Sequence, residues 1–184
     1  VDDYLSMIGR KTGALIDSAM YTGALVATAD SAAARAFGSC GRKLGLAFQI
    51  RDDYLGVWGD SYETGKAVGA DIRRKKKSMP VVHLFQNATP SERAWLDEAY
   101  TTSEVGGADL ERVFELLERI GTSAYVQRSA QAQADAAQIT TNFVAPWARG
   151  HGMARELTLA VEAAARAQGF HLLSLDVRAT QDAA

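Results

Sequence analysis

The chain has 184 residues, 47% of them hydrophobic and 23% charged, and its formal net charge is -2 with a pI near 5.9. That is enough for one ordinary core, or for one domain plus part of another, and it gives no global attraction to nucleic acid or to an anionic membrane surface. A lone cysteine, Cys40, excludes an internal disulfide, His83, His151 and His171 show no metal-ligand spacing, and neither a membrane-length apolar run nor a signal-peptide order is present, so a soluble cytoplasmic protein is expected.

Residues 4–30 carry Leu5, Ile8, Leu15, Ala19 and Leu25 at helical spacing, which predicts a long helix broken or kinked near its glycines. A second helix is predicted from Ser31, as N-cap, to Trp58, with Phe37, Leu44, Phe48 and Leu55 on its core face. Gln49, Asp52, Asp53, Gly56 and Asp60 share another side of it. The stretch from Asp60 to Pro80 is rich in glycine and charge and reads as a long ordered loop or lid. Helices follow in PVVHLFQN, in SERAWLDEAY after a cap at Thr89 or Ser91, in ADLERVFELLERIG with Val113, Leu116, Leu117 and Ile120 as its apolar stripe, and in SAYVQRSAQAQADAAQ. Beyond about residue 138 the pattern changes to strand, amphipathic helix and strand, which predicts a domain boundary there.

An aspartate pair alone reads first as a solvated acidic end or an ion pair with Arg51. Across the glycine-rich loop, however, stand Lys66 and the run Arg73, Arg74, Lys75, Lys76, Lys77. Carboxylates for magnesium and lysines for phosphate oxygens are the two halves of a metal-diphosphate site, and Gly65 and Gly69 would let backbone approach the ligand. No aromatic residues interleave with the basic run, which argues against single-stranded nucleic acid.

Phe48-Gln49-Ile50-Arg51-Asp52-Asp53-Tyr54-Leu55, Gly59-Asp60, Thr64-Gly65-Lys66, Gly69-Ala70-Asp71-Ile72 and Lys76, with Pro80 behind, resemble the second aspartate-rich region of the trans-isoprenyl diphosphate synthases. Arg10-Lys11-Thr12-Gly13-Ala14-Leu15 resembles that family's Lys-Thr motif. The resemblance covers residues 1–138, the second half of such an enzyme. It implies a mainly all-α fold, an isoprenoid synthase-type helical bundle fragment, and a prenyltransferase. Such enzymes carry out magnesium-dependent head-to-tail condensation of isopentenyl diphosphate with an allylic diphosphate, and the intact family implies a homodimer. By resemblance Asp52, Asp53 and Asp60 would hold Mg2+, Lys11, Lys66 and Lys76 would bind diphosphate, Thr12 and Gln49 would line the path of the carbocation, and Lys11, Thr12 and Gln49 would be the catalytic residues. Two departures stand out. Gly56 replaces the third aspartate of the DDxxD pattern, leaving Asp60 or water to fill in, and the first aspartate-rich motif is missing, so the chain alone is expected to be inactive. A class I terpene cyclase and a non-catalytic partner subunit of a prenyl synthase are the rival readings within this fold.

Residues 139–184 resemble the acetyl-coenzyme A-binding core of the GNAT acetyltransferases, carried by Arg149-Gly150-His151-Gly152-Met153-Ala154 at a strand-to-helix turn. The resemblance implies a pyrophosphate cradle at Arg149, Gly150, Gly152 and Ala154, and an acetyl-coenzyme A-dependent acetyltransferase fragment as the alternative function. Both ends look cut, and a fused, truncated or misassembled reading frame is the expected origin of the combination.

Overall fold

The computed structural model describes residues 1–60, 65, 67–101 and 104–137. The expected boundary near 138 and the strand-helix-strand of residues 139–184 lie outside these. Among the described residues every regular element is helical.

The first elements in the chain are α1 (Asp2–Ile8), a π turn (Gly9–Gly13) and α2 (Ala14–Thr28). The expected kink is this π turn, bracketed by two glycines and containing Arg10, Lys11 and Thr12. Such turns interrupt a helix by one residue and are frequent at functional sites. Helix α3 (Ser31–Trp58) has the expected span, but its cap is Asp30 and not Ser31. The Asp30 carboxylate accepts from Ala32 N–H at 2.7 Å and Ala33 N–H at 3.3 Å, and a carboxylate suits the positive end of the helix better than a hydroxyl.

A short helix, α4 (Ala70–Arg73), lies inside the stretch read as loop. Then come α5 (Met79–Asn87), α6 (Pro90–Ala99), α7 (Gly107–Ile120) and α8 (Thr122–Asp135). Thr89 caps α6 through a reciprocal box with Glu92. The Thr89 backbone and side-chain hydrogen bonds hold the Glu92 carboxyl below its ordinary range.

The described residues form two compact units, with α3 and α8 supplying residues to both. In the unit of residues 1–8 and 48–130, Val57, Ile72, Leu84, Leu96, Val113 and Leu117 form the centre of the core. The predicted stripe of α7 buries Val113, Leu116 and Leu117 there, with Ile120 at its margin. His83 is a core residue: its ring stacks on Tyr125 at 4.0 Å and its Nδ1 lies 3.0 Å from Thr122 Oγ1. Burial holds its pKa below the ordinary value.

The unit that begins with residues 9–47 is built on close backbone approach. A Cβ on Gly41 would stand 2.8 Å from Ile16 O, and one on Gly45 would stand 2.8 Å from Gly13 Cα and 3.2 Å from Thr12 O. This small-residue seam, more than the expected stripe, buries α3: Phe37, Leu44 and Leu55 are only partly covered and Phe48 is 42% exposed. Gly45→Ala would gain up to about 1 kcal/mol of helix propensity but lose about 1–3 kcal/mol to overpacking. A net fall in thermal stability is therefore expected, and a rise would show that the seam is loose. Cys40 is buried nearby, its thiol donating to Ala137 O at 3.4 Å, and burial pushes its pKa up.

Candidate active site

The aspartates lie in the last turns of α3, where the apolar pattern of the helix forces one of them inward. Asp53 is fully buried, whereas the Asp52 side chain is half-exposed. An uncompensated buried carboxylate would neutralise or unfold the site, so its partners decide what it can do.

Those partners come from four segments. The Tyr4 phenol of α1 donates to Asp53 Oδ2, and so does Met79 N–H, the first amide of α5, at 3.0 Å. Gln49 Nε2 reaches Asp53 Oδ1 at 3.3 Å and Asp52 Oδ2 at 3.4 Å. Lys76 Nζ lies 3.3 Å from the same Asp53 Oδ1. A carboxylate has about four lone-pair sites, and all four here are met by protein donors. Burial, the Asp53 hydrogen bond and the nearby Asp53 charge all push the Tyr4 phenol well above the ordinary tyrosine range, so it remains a donor.

Lys76 is the centre of the cluster. Its ammonium is 2.8 Å from Asp71 Oδ2, 3.3 Å from Asp53 Oδ1 and 3.6 Å from Asp52 Oδ2. Partial burial pulls its pKa down, but the Asp71 hydrogen bond and the charges of Asp53, Asp71 and Asp52 outweigh that and hold it above the ordinary lysine value. Its pairing is therefore complete below an ordinary pKa of 10.5 and is lost only as pH rises past it.

Asp71, in the downstream Gly69-Ala70-Asp71-Ile72 motif, joins the site although the family pattern assigns it no role there. It stands on α4, buried, with its carboxylate directly over Gly56. A Cβ on Gly56 would collide with Asp71 Oδ2 and stand 3.0 Å from Oδ1. The space left by the missing third aspartate is thus filled by a carboxylate from beyond the loop. The sequence signal was the glycine at position 56 of the helix together with an acid in the downstream Gly69-Ala70-Asp71-Ile72 motif.

Asp60 is exposed just past the end of α3. Lys11 is exposed and Thr12 partly buried, both in the π turn and in the second unit. Lys66, Arg149, Gly150, Gly152 and Ala154 lie outside the described residues. Within the basic run only Lys76 is seen to meet the acids; Lys75, at φ 54°, sends its Nζ to Tyr100 O at 3.1 Å. Gly69 serves packing and not ligand approach: at φ 76° it is buried, its N–H donates to Val57 O at 3.0 Å, and a Cβ would stand 3.0 Å from the Phe114 ring.

Three carboxylates crowd one ammonium, a donor set of hard oxygens with excess negative charge. Among the described residues no three acidic, histidine or cysteine side chains form a closed metal cage. Magnesium does not require one, because it is commonly held by one or two carboxylates together with waters and substrate phosphates. Asp52 and Asp71, which converge on the Lys76 ammonium, fit that requirement.

Residues 1–117 match the polyprenyl synthetase family, and residues 80–184 match the acetyltransferase (GNAT) family. The chain is 39% identical over 137 residues to a geranylgeranyl diphosphate synthase of Mycobacterium tuberculosis, covering 74% of this chain and 39% of that protein. The structure of a geranylgeranyl pyrophosphate synthetase from Pyrococcus horikoshii superposes with a TM-score of 0.67 at 32% identity, over 74% of this chain and 41% of that one. An uncharacterized N-acetyltransferase of Azospirillum brasilense is 67% identical over 54 residues, 29% of this chain and 32% of that protein. The chain thus spans about two fifths of the length of the synthases it matches. No helix among the described residues is long and apolar enough to cross a membrane.

Proposed function

The chain belongs to the polyprenyl synthetase family through residues 1–117, alongside its acetyltransferase (GNAT) match through residues 80–184, and from that premise we propose that it carries the diphosphate- and metal-binding half of a trans-prenyltransferase. The reaction would join isopentenyl diphosphate head-to-tail to an allylic diphosphate. The observation that carries the reading is the convergence of the Asp52 and Asp71 carboxylates on the ammonium of Lys76.

Asp52 and Asp71 would hold Mg2+, which when bound supplies positive charge to a departing diphosphate. Asp53 acts behind them as a positioning residue, tying α1, α3 and α5 to one carboxylate. Lys76 would bind diphosphate oxygens, with Lys11 and Lys66 in the same role by family pattern. Gln49 presents its amide beside the two adjacent acids, and its carbonyl dipole, like the Thr12 hydroxyl, suits a developing cation.

Calorimetry with Mg2+ and inorganic pyrophosphate tests this. Asp52→Ala should lose most of the binding while Asp60→Ala loses little, and an equal or reversed order would remove Asp52 from the site.

A second reading concerns the C-terminal part and rests on the 67% identity to the Azospirillum brasilense protein. The expected result is no rise in Tm with acetyl-coenzyme A. A clear rise abolished by Gly152→Val would establish an acetyl-coenzyme A site there.

A further inference from the structure

We propose that Lys76 is an internal counter-cation that competes with divalent metal for the Asp52 and Asp71 carboxylates and is released by diphosphate; this rests on the metal-diphosphate reading above. The ammonium lies within 3.6 Å of one oxygen of each of the three carboxylates, and the nearest, Asp71 Oδ2, is 2.8 Å away. A divalent ion bound to those oxygens would stand within a few ångströms of this ammonium, where the repulsion of a double and a single positive charge is strong at any protein dielectric. Both cannot stay.

The geometry lets the lysine be the one that moves. Its backbone is pinned: Lys76 N–H donates to Asp71 O at 2.9 Å and Lys76 O accepts from Ser78 N–H at 2.8 Å. Its side chain is 43% exposed on a flexible four-carbon stem, whereas Asp53 is fully buried and Asp71 nearly so. Once the ammonium leaves, Asp53 keeps Tyr4, Gln49 and Met79 N–H, so the buried acid is not stranded.

A consequence is coupling. Metal alone has to displace the lysine without offering it a new partner and so binds weakly. Diphosphate gives the displaced ammonium phosphate oxygens to bind, so each ligand raises the affinity for the other by the same factor. Lys76 thereby discourages metal from binding until the anion arrives.

The test uses the full chain and titrates Mg2+ alone, inorganic pyrophosphate alone, and each in the presence of the other, by calorimetry. Lys76→Met should bind Mg2+ alone at least fivefold more tightly than wild type while losing most of the coupling to pyrophosphate. Lys76→Arg, which keeps the charge, should behave as wild type. Lys76→Gln keeps a hydrogen bond to Asp71 without charge and should reproduce the Lys76→Met result if that variant folds poorly. Equal or weaker Mg2+ binding by the neutral variants would overturn this role alone. Absence of Mg2+ binding in every variant, with or without pyrophosphate, would overturn the metal-diphosphate reading and this role with it.

Discussion

Asp53→Asn is expected to lower the stability of the fold by about 3 kcal/mol, a fall in Tm of roughly 6–12 °C, while Asp52→Asn stays within about 0.5 kcal/mol. The two residues are adjacent and chemically identical, so the difference comes from their burial and their partners. At position 53 the Oδ2 oxygen accepts from both the Tyr4 phenol and Met79 N–H, and Oδ1 faces Gln49 Nε2 and Lys76. An asparagine amide group must point its NH2 at one pair of donors or the other, leaving buried donors facing a donor. Against a total stability of about 5–15 kcal/mol that loss is large. Circular dichroism melts of the two variants decide it, and similar shifts would mean that Asp53 is not the tie between α1, α3 and α5.

Gly56→Ala is expected to destabilise by about 2 kcal/mol, although glycine to alanine within a helix ordinarily gains about 0.5–1 kcal/mol. The added methyl would fall on the Asp71 carboxylate and push it off Lys76. In an Asp71→Ala background the same change should become stabilising, because the obstacle is gone. A double-mutant cycle by denaturant melts measures the coupling, and an unchanged effect of Gly56→Ala in the two backgrounds would show that the carboxylate does not occupy this space. Gly56→Asp, which would restore the DDxxD pattern, meets the same obstacle. Writing the missing aspartate back into the helix should therefore weaken the site unless Asp71 is shortened with it.

The helices and the two acids were legible because their signals are local. Val113, Leu116 and Leu117 recur on one face of a helix that is polar elsewhere, so their burial follows from spacing. Asp52 and Asp53 sit on one turn, and the shared face with Gln49 could be counted directly. The roles within the pair could not be read this way. What separates them is a phenol from α1 and a backbone amide of α5, and a backbone amide has no residue identity to betray it. The core face of α3 was misjudged for a related reason: apolar periodicity favours Phe37 and Phe48, whereas Gly41 and Gly45 bury the helix by having nothing to bury. The basic run shows a third limit. Five consecutive cationic positions suggest one patch, but the left-handed turn at Lys75 carries its ammonium to Tyr100 O and leaves Lys76 to meet the acids.

The buried thiol of Cys40, bonded to the carbonyl of Ala137 and unique in the chain, gives the protein an intrinsic chronometer. Burial disfavours the reactive thiolate, so a thiol reagent can modify the side chain only when its surroundings part. With no second sulfhydryl to confuse the signal, the modification rate in native buffer reports how often the unit around α2 and the first part of α3 opens. Comparing that rate with the global melt tells whether this unit breathes on its own or only when the whole chain unfolds.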